Sequence, residues 1–212
     1  MSVIAVVDYG MGNLHSVCKG LEKAGTTPKV TDSAKEIAQA DAVVLPGVGS
    51  FDPAVKQLRS HDLVEPIKDA IASGKPFLGI CLGLQILFDG SEEGIEPGLG
   101  IVAGTVRKFK SEPDLTIPHM GWNQLEITQQ TSIWDQLSDQ PWVYFVHSYY
   151  VDPSDRTVTA ANVTHGSQTV TAAIRRDNLM AVQFHPEKSS TTGLQILSNF
   201  VKQVKVGVGS GR

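Results

Sequence analysis

Cysteine is scarce in this 212-residue chain, with only Cys18 and Cys81 and no Cys-x-x-Cys pair. That excludes a disulfide framework and a cysteine-ligated zinc site, and it points to a reducing compartment where a reactive thiol survives. An excess of positive charge is also missing. Eighteen Lys and Arg stand against 22 Asp and Glu, for a net charge of -4, so there is no electrostatic footprint for nucleic acid or an anionic membrane. No apolar run reaches membrane length, and no basic segment precedes Val3-Ile4, so a cytoplasmic chain without a signal or transit peptide is expected. Internal repeats and low-complexity segments are absent. At this length the chain buries roughly 70% of its unfolded surface without staples.

What is present reads as strands alternating with helices. Val3–Val7, Ala42–Leu45 and Phe77–Ile80 are short continuous apolar runs, as in strands buried on both faces. Between them, Leu14, Val17, Cys18 and Leu21 recur at helical spacing before Gly25, which makes Cys18 a packing residue. Ser33-Ala34-Lys35-Glu36 reads as a capping box, Ser50 or Asp52 as the cap of a further helix with Pro53 in its first turn, and Pro66–Ala72 as another helix. Alternation of this kind predicts an α/β fold with a mostly parallel sheet flanked by helices. Thr105–Phe109, Trp142–Val146, Val158–Ala161, Thr169–Ile174 and Ala181–Phe184 then predict antiparallel hairpins added in the second half. A final helix carries Leu194, Leu197, Phe200, Val201 and Val204 on one face. One domain over residues 1–206 is expected, with 207–212 as a frayed tail.

Chemistry concentrates at Gly79-Ile80-Cys81-Leu82-Gly83-Leu84-Gln85. The apolar run before it and the amphipathic run Leu84–Phe88 after it predict strand, sharp turn and helix with a thiol at the turn. This is the thiol counterpart of the nucleophile elbow. A thiol nucleophile needs a base and a group that orients the base. Phe184-His185-Pro186-Glu187 supplies both, with His185 expected at a strand end and Glu187 near enough in sequence to steer the imidazole. The Leu82 amide and the Gly47-Val48-Gly49 turn are candidate oxyanion donors. His15, His61 and His165 have no such pattern, and hydrogen-bonded or solvated roles are expected for them. The glycine-rich turn Asp8–Asn13 reads as a connection rather than a phosphate cradle.

Pro46-Gly47-Val48-Gly49, the elbow and Phe184-His185-Pro186-Glu187 together resemble the class I (triad) glutamine amidotransferases, whose fold is flavodoxin-like. Asp8-Tyr9-Gly10-Met11-Gly12-Asn13, Pro118-His119-Met120-Gly121-Trp122-Asn123, Tyr144-Phe145-Val146-His147-Ser148-Tyr149 and Lys188-Ser189-Ser190 narrow the resemblance to the glutaminase subunits of imidazole glycerol phosphate synthases. The resemblance implies hydrolysis of L-glutamine to glutamate and ammonia by Cys81, His185 and Glu187 through a thioester. It implies an oxyanion hole at Gly47, Val48 and Leu82, and glutamine contacts at Gly49, Gln85, Glu93, Ser148 and Tyr149. It implies a heterodimer with a (β/α)8-barrel cyclase that receives the ammonia, makes imidazole glycerol phosphate and an aminoimidazole carboxamide ribonucleotide, and meets Asn13, Met120, Trp122 and Lys188. Neither cofactor nor metal is implied. Free ammonia protonates in water and loses its nucleophilicity, so gating by the partner is expected, with the Gly47–Val48 peptide turning its N–H into or out of the hole.

Three rivals stand beside this reading. A glutaminase serving pyridoxal phosphate synthesis would carry Gly-Gly-Glu-Ser-Thr where this chain has Pro-Gly-Val-Gly-Ser. A γ-glutamyl hydrolase or thiol peptidase would share the elbow but not release ammonia from glutamine. A non-catalytic scaffold of the same fold would have no need of all three triad residues.

Overall fold

The computed structural model describes residues 2–209. The first half runs β1 (Ile4–Val7), α1 (Leu14–Lys23), β2 (Pro28–Thr31), α2 (Ala34–Gln39), β3 (Ala42–Gly47), α3 (Phe51–Ser60), α4 (Val64–Ala72), β4 (Phe77–Cys81) and α5 (Leu82–Gln85). The second half adds β5 (Gly90–Ser91), β6 (Gly104–Lys108), β7 (His119–Gln124), β8 (Glu126–Ile127), β9 (Trp142–His147), β10 (Tyr149–Pro153), β11 (Thr159–His165), β12 (Gln168–Arg176), β13 (Leu179–Val182) and α6 (Ser190–Gly209). The last helix therefore takes in residues expected in a frayed tail, and residues 210–212 lie outside the described residues.

The main sheet has the order β2-β1-β3-β4-β13-β12-β10-β6-β5. Its β2-β1-β3-β4-β13 portion is parallel, and β12, β10 and β6 extend it antiparallel. This is the predicted α/β architecture with hairpins added. β7 and β9 depart from it by forming a separate two-stranded antiparallel sheet.

Period-2 alternation sends β1 into two cores. Ile4 and Val6 join Val17 and Leu21 of α1 and Ile196, Leu197 and Phe200 of α6, whereas Ala5 and Val7 join Ile37, Phe51, Leu58 and Ile67 of the helices on the other face. Cys18 is half-buried against the first core, as its helical spacing predicts.

The caps differ from the sequence reading in detail. Ser33 Oγ accepts from Glu36 N–H at 3.4 Å, but the Glu36 carboxylate turns to Lys29 Nζ, 2.9 Å away, so the box closes on one side only. Neither Ser50 nor Asp52 caps α3 through its side chain. Asp52 accepts instead from the N–H groups of Ile95 and Glu96, both at 3.0 Å, and pins the 91–98 loop to the helix. Leu84–Phe88 is not amphipathic: Leu82 through Phe88 are all buried, and α5 closes after four residues.

Candidate active site

Parallel strands deliver their following turns to the C-terminal edge of the sheet. β3 and β4 are adjacent, with Gly47 opposite Cys81, so the Pro46–Gly49 turn and the elbow meet there. Cys81 occupies the elbow at φ 57° and ψ -112°, a conformation that side chains rarely adopt. The packing beneath explains the flanking glycine. A Cβ on Gly83 would stand 1.9 Å from the Leu45 carbonyl oxygen, so only glycine lets the elbow sit on the end of β3. Gly47 is constrained likewise, since a Cβ there would meet Tyr9 Oη at 2.5 Å and Gly83 N at 2.9 Å.

His185 does not end its strand as expected. β13 stops at Val182, Gln183 N–H still reaches the Ala172 carbonyl at 2.8 Å, and the chain then bends so that His185 N–H reaches the Tyr144 carbonyl of β9 at 3.0 Å. Ser189 locks this bend: its hydroxyl donates to the His185 carbonyl at 2.6 Å and accepts from Tyr144 N–H at 2.9 Å. The Glu187 carboxylate lies 2.8 Å from His185 Nδ1, and both side chains are nearly inaccessible. Burial alone would lower the His185 pKa, but the neighbouring Cys81 thiol and Glu187 carboxylate outweigh burial and push it up to about 10. An imidazole between a thiol and a carboxylate is the spatial order that a thiol nucleophile, its base and the group orienting that base require.

A cavity of about 330 Å³ opens over the thiol. Cys81, His185, Val48, Gly49, Leu82, Gln85, Glu93, Ser148 and Tyr149 all line it, which brings together most of the residues the sequence nominates. Glu187 stands behind His185, and Gly47 stands behind Val48. Glu93 has a second task, because its carboxylate accepts from Phe51 N–H at 2.8 Å and so closes the first turn of α3.

The residues nominated for a partner are placed outside the cavity. Met120 and Trp122 project from β7 with 62% and 49% of their surfaces exposed, and Lys188 is exposed in the turn after Glu187. The Asn13 side chain is committed as the cap of α1, accepting from Ser16 N–H at 3.2 Å.

Three contributors were not read from the sequence. Gln183 is fully buried and its amide donates toward Cys81 Sγ at 3.8 Å. A lone glutamine within the apolar run Ala181–Phe184 is the signal that marks it. Ser189 is the second, marked only by its place two residues after Glu187. Tyr9 is the third: its buried hydroxyl has no partner, and burial followed by the charge at Cys81 holds its pKa well above the usual phenol range.

The family model for class-I glutamine amidotransferases matches residues 5–204. The imidazole glycerol phosphate synthase subunit HisH of Gloeothece citriformis is 74% identical over 207 residues, covering 97% of this chain and 98% of that protein. The subunit of the same name from Nostoc punctiforme is 74% identical over 206 residues, covering 97% and 98%. Among solved structures, PurLQS from Thermotoga maritima aligns with a TM-score of 0.75 at 19% identity, covering 98% of this chain and all of that one. The glutaminase domain of Trypanosoma brucei CTPS with bound acivicin aligns with a TM-score of 0.67 at 19% identity, covering 95% and 94%. These two structural likenesses establish the shared fold.

Proposed function

The chain belongs to the class I glutamine amidotransferases and, within them, to the HisH subunits of imidazole glycerol phosphate synthase, and from that membership we propose that its cavity hydrolyses L-glutamine and supplies the ammonia to a partner subunit in histidine biosynthesis. The observation that carries the reading is the placement of Cys81 on a strained elbow beside a buried His185 whose Nδ1 is 2.8 Å from Glu187.

The Cys81 thiolate attacks the side-chain carboxamide carbon of glutamine, and the carbonyl electron pair moves onto oxygen. The Leu82 amide and the Val48 amide, the latter after its peptide with Gly47 rotates, receive that oxyanion. His185 passes its proton to the departing nitrogen, the C–N bond breaks, and ammonia leaves a glutamyl thioester. Neutral His185 then takes a proton from water, the hydroxide adds to the thioester, and glutamate departs with the thiolate restored. Glu187 keeps Nδ1 protonated and Nε2 directed at the reacting atoms. Gly49, Gln85, Glu93, Ser148 and Tyr149 hold the amino-acid end of glutamine.

A (β/α)8-barrel cyclase docked over Asn13, Met120, Trp122 and Lys188 takes the ammonia before bulk water protonates it. The thiol requires a reducing compartment, which supports a cytoplasmic setting, and no helix among the described residues is long and apolar enough to cross a membrane. The test is Cys81→Ala in the reconstituted pair. Glutamine-dependent turnover is expected to fall by about 10⁴-fold or more, while turnover on added ammonium salt is retained. Loss of both in an assembled complex removes Cys81 from the role.

A further inference from the structure

His147, in the wall of the cavity, and His119 beside it are buried histidines that Cys81, His185 and Glu187 do not use. His147 Nδ1 faces the Tyr149 carbonyl at 2.8 Å. A carbonyl can only accept, so this nitrogen carries the proton and Nε2 of the same ring is a bare acceptor. That Nε2 lies 3.0 Å from His119 Nδ1, which must therefore be protonated and donate to it. His119 Nε2 is then the bare nitrogen, and the Asn123 amide donates to it at 3.1 Å. The Asn123 amide cannot turn over, because its oxygen accepts from Gln124 N–H at 2.8 Å and its nitrogen also donates to the Thr164 carbonyl at 2.9 Å. Every bond in the series runs in one direction.

The series does not stop at Tyr149. The same carbonyl accepts from Gln85 Nε2 at 3.2 Å, and that nitrogen also donates to Gln183 Oε1 at 3.0 Å. Both amide hydrogens of Gln85 are thus directed into the protein, which fixes its oxygen as the end left for the cavity. Gln183 in turn donates toward the Cys81 sulfur.

Packing holds the rings in register. His119 is stacked between Phe145 and His165, with centroids 4.7 and 4.2 Å away, and Phe109 meets His147 edge-on at 5.2 Å. Burial first, and then the charge of His165, pull the His119 pKa down to about 4. Burial pulls His147 down to about 3, against the opposing hydrogen bond to Tyr149. Both rings stay neutral at physiological pH, as the donor order requires. β7 has two faces: His119 and Asn123 point inward, and Met120 and Trp122 alternate with them on the exposed side.

We propose that Asn123, His119 and His147 are positioning residues for the glutamine pocket: their one-directional run of hydrogen bonds ends on the Tyr149 carbonyl, where it meets the Gln85 amide and so links the placement of β7 to Gln85, Gln183 and the Cys81 thiol. This rests on the reading of the cavity as a glutaminase site. The relay gives the outer face of β7 a mechanical connection to the pocket, through a strand whose inward residues have one permitted arrangement of donors.

The test uses the reconstituted complex and reports on tautomers and kinetics separately. Nitrogen-15 NMR of labelled protein should find His119 and His147 both protonated at Nδ1. Protonation at Nε2 of either ring overturns the relay. For kinetics, His147→Leu removes both of its bonds, whereas His147→Asn keeps a donor near the Nδ1 position. The KM for glutamine should rise about tenfold in the leucine variant, the cost of one hydrogen bond, and recover at least in part in the asparagine variant. Asn123→Asp, close in shape and near the surface, places an acceptor against His119 Nε2 and should raise KM about fivefold even where the buried variant fails to fold. Unchanged KM in Asn123→Asp, or equal KM in the two His147 variants, refutes the relay. A purely structural role would lower thermal stability and leave KM alone. Failure of the glutaminase reading has a different signature, namely wild-type turnover of glutamine that survives Cys81→Ala.

Discussion

Glu93 and Phe51 are joined by a 2.8 Å hydrogen bond from the Phe51 N–H to the Glu93 carboxylate, so a residue lining the cavity over Cys81 also terminates the N-terminal end of α3. The two tasks separate by substitution. Glu93→Gln keeps an acceptor for Phe51 and removes the charge, whereas Glu93→Ala removes both. The alanine variant should lose about 1 kcal/mol of stability, in the range of a lost cap, and the glutamine variant only a few tenths. Both should raise the KM for glutamine if the charge reads the substrate's α-ammonium group. Urea melts and glutamine kinetics on the two proteins decide it. Equal stability loss in both would show that charge, not the acceptor, matters at α3.

Stability should have two pH limbs with different owners. The folded pKa of His185, about 10, lies above its ordinary value of 6.5. Its contribution is therefore complete below about pH 6.5 and is lost as pH rises toward 10, at about 1.4 kcal/mol per pH unit. His119 and His147 work in the opposite sense, with folded values of about 4 and about 3. Their unfolded forms take up protons below about pH 6.5, so their contribution is present above that pH and lost on acidification toward their folded values. Unfolding free energies measured across pH should lose the alkaline limb in His185→Asn and part of the acid limb in His119→Asn. An alkaline limb unchanged in His185→Asn would contradict the elevated imidazole.

How much of this was legible in the sequence follows from burial. β1, β3 and β4 are covered on both faces, so each appears as an unbroken apolar run. β2 is an edge strand with Thr31 as its one buried residue, and Pro28-Lys29-Val30-Thr31 carries no such signature. β7 was missed for a related reason: His119, Trp122 and Asn123 are placed by hydrogen bonds and by an exposed face rather than by apolar burial. The proximity of Cys81, His185 and Glu187 was legible because an elbow and a Pro-fixed turn demand particular residues at particular spacings. The histidine relay was not, because His119 and His147 acquire their meaning only when β7 and β9 pair and place them opposite one another.

Tyr9 offers a prediction of opposite sign to most buried substitutions. Its hydroxyl is buried without a partner, and an unpaired buried hydroxyl costs about 1–3 kcal/mol. Tyr9→Phe removes that cost and keeps the ring in the core, so the protein should be as stable as the parent or more so, by about 1 kcal/mol. The Pro46–Gly49 turn lies against this hydroxyl, and a Gly47 carbonyl turned toward it during turnover would find a donor. The combination to look for is raised thermal stability with lowered kcat. Raised stability with unchanged kcat would assign the phenol no part in the turn's movement.

The last prediction concerns the elbow itself. A Cβ at Gly83 would stand 1.9 Å from the Leu45 oxygen and 2.9 Å from the Leu45 carbon, both backbone atoms that cannot step aside. Gly74, at φ 80° with no atom within 4 Å of where a Cβ would stand, is the matched control, since alanine there meets only backbone strain. Gly74→Ala should cost about 1 kcal/mol, the penalty for a left-handed non-glycine residue. Gly83→Ala should cost about 1–3 kcal/mol in overpacking, and it should also separate β3 from the elbow, moving the Val48 and Leu82 amides apart. Glutaminase activity should then fall further than the folded fraction does. Thermal melts give the folded fraction, and burst titration with a glutamine-like electrophile counts the competent thiols. If Gly83→Ala loses activity only in proportion to folded protein, the close approach at Leu45 serves stability alone, and the proposed oxyanion role of the Val48 and Leu82 amides does not depend on it.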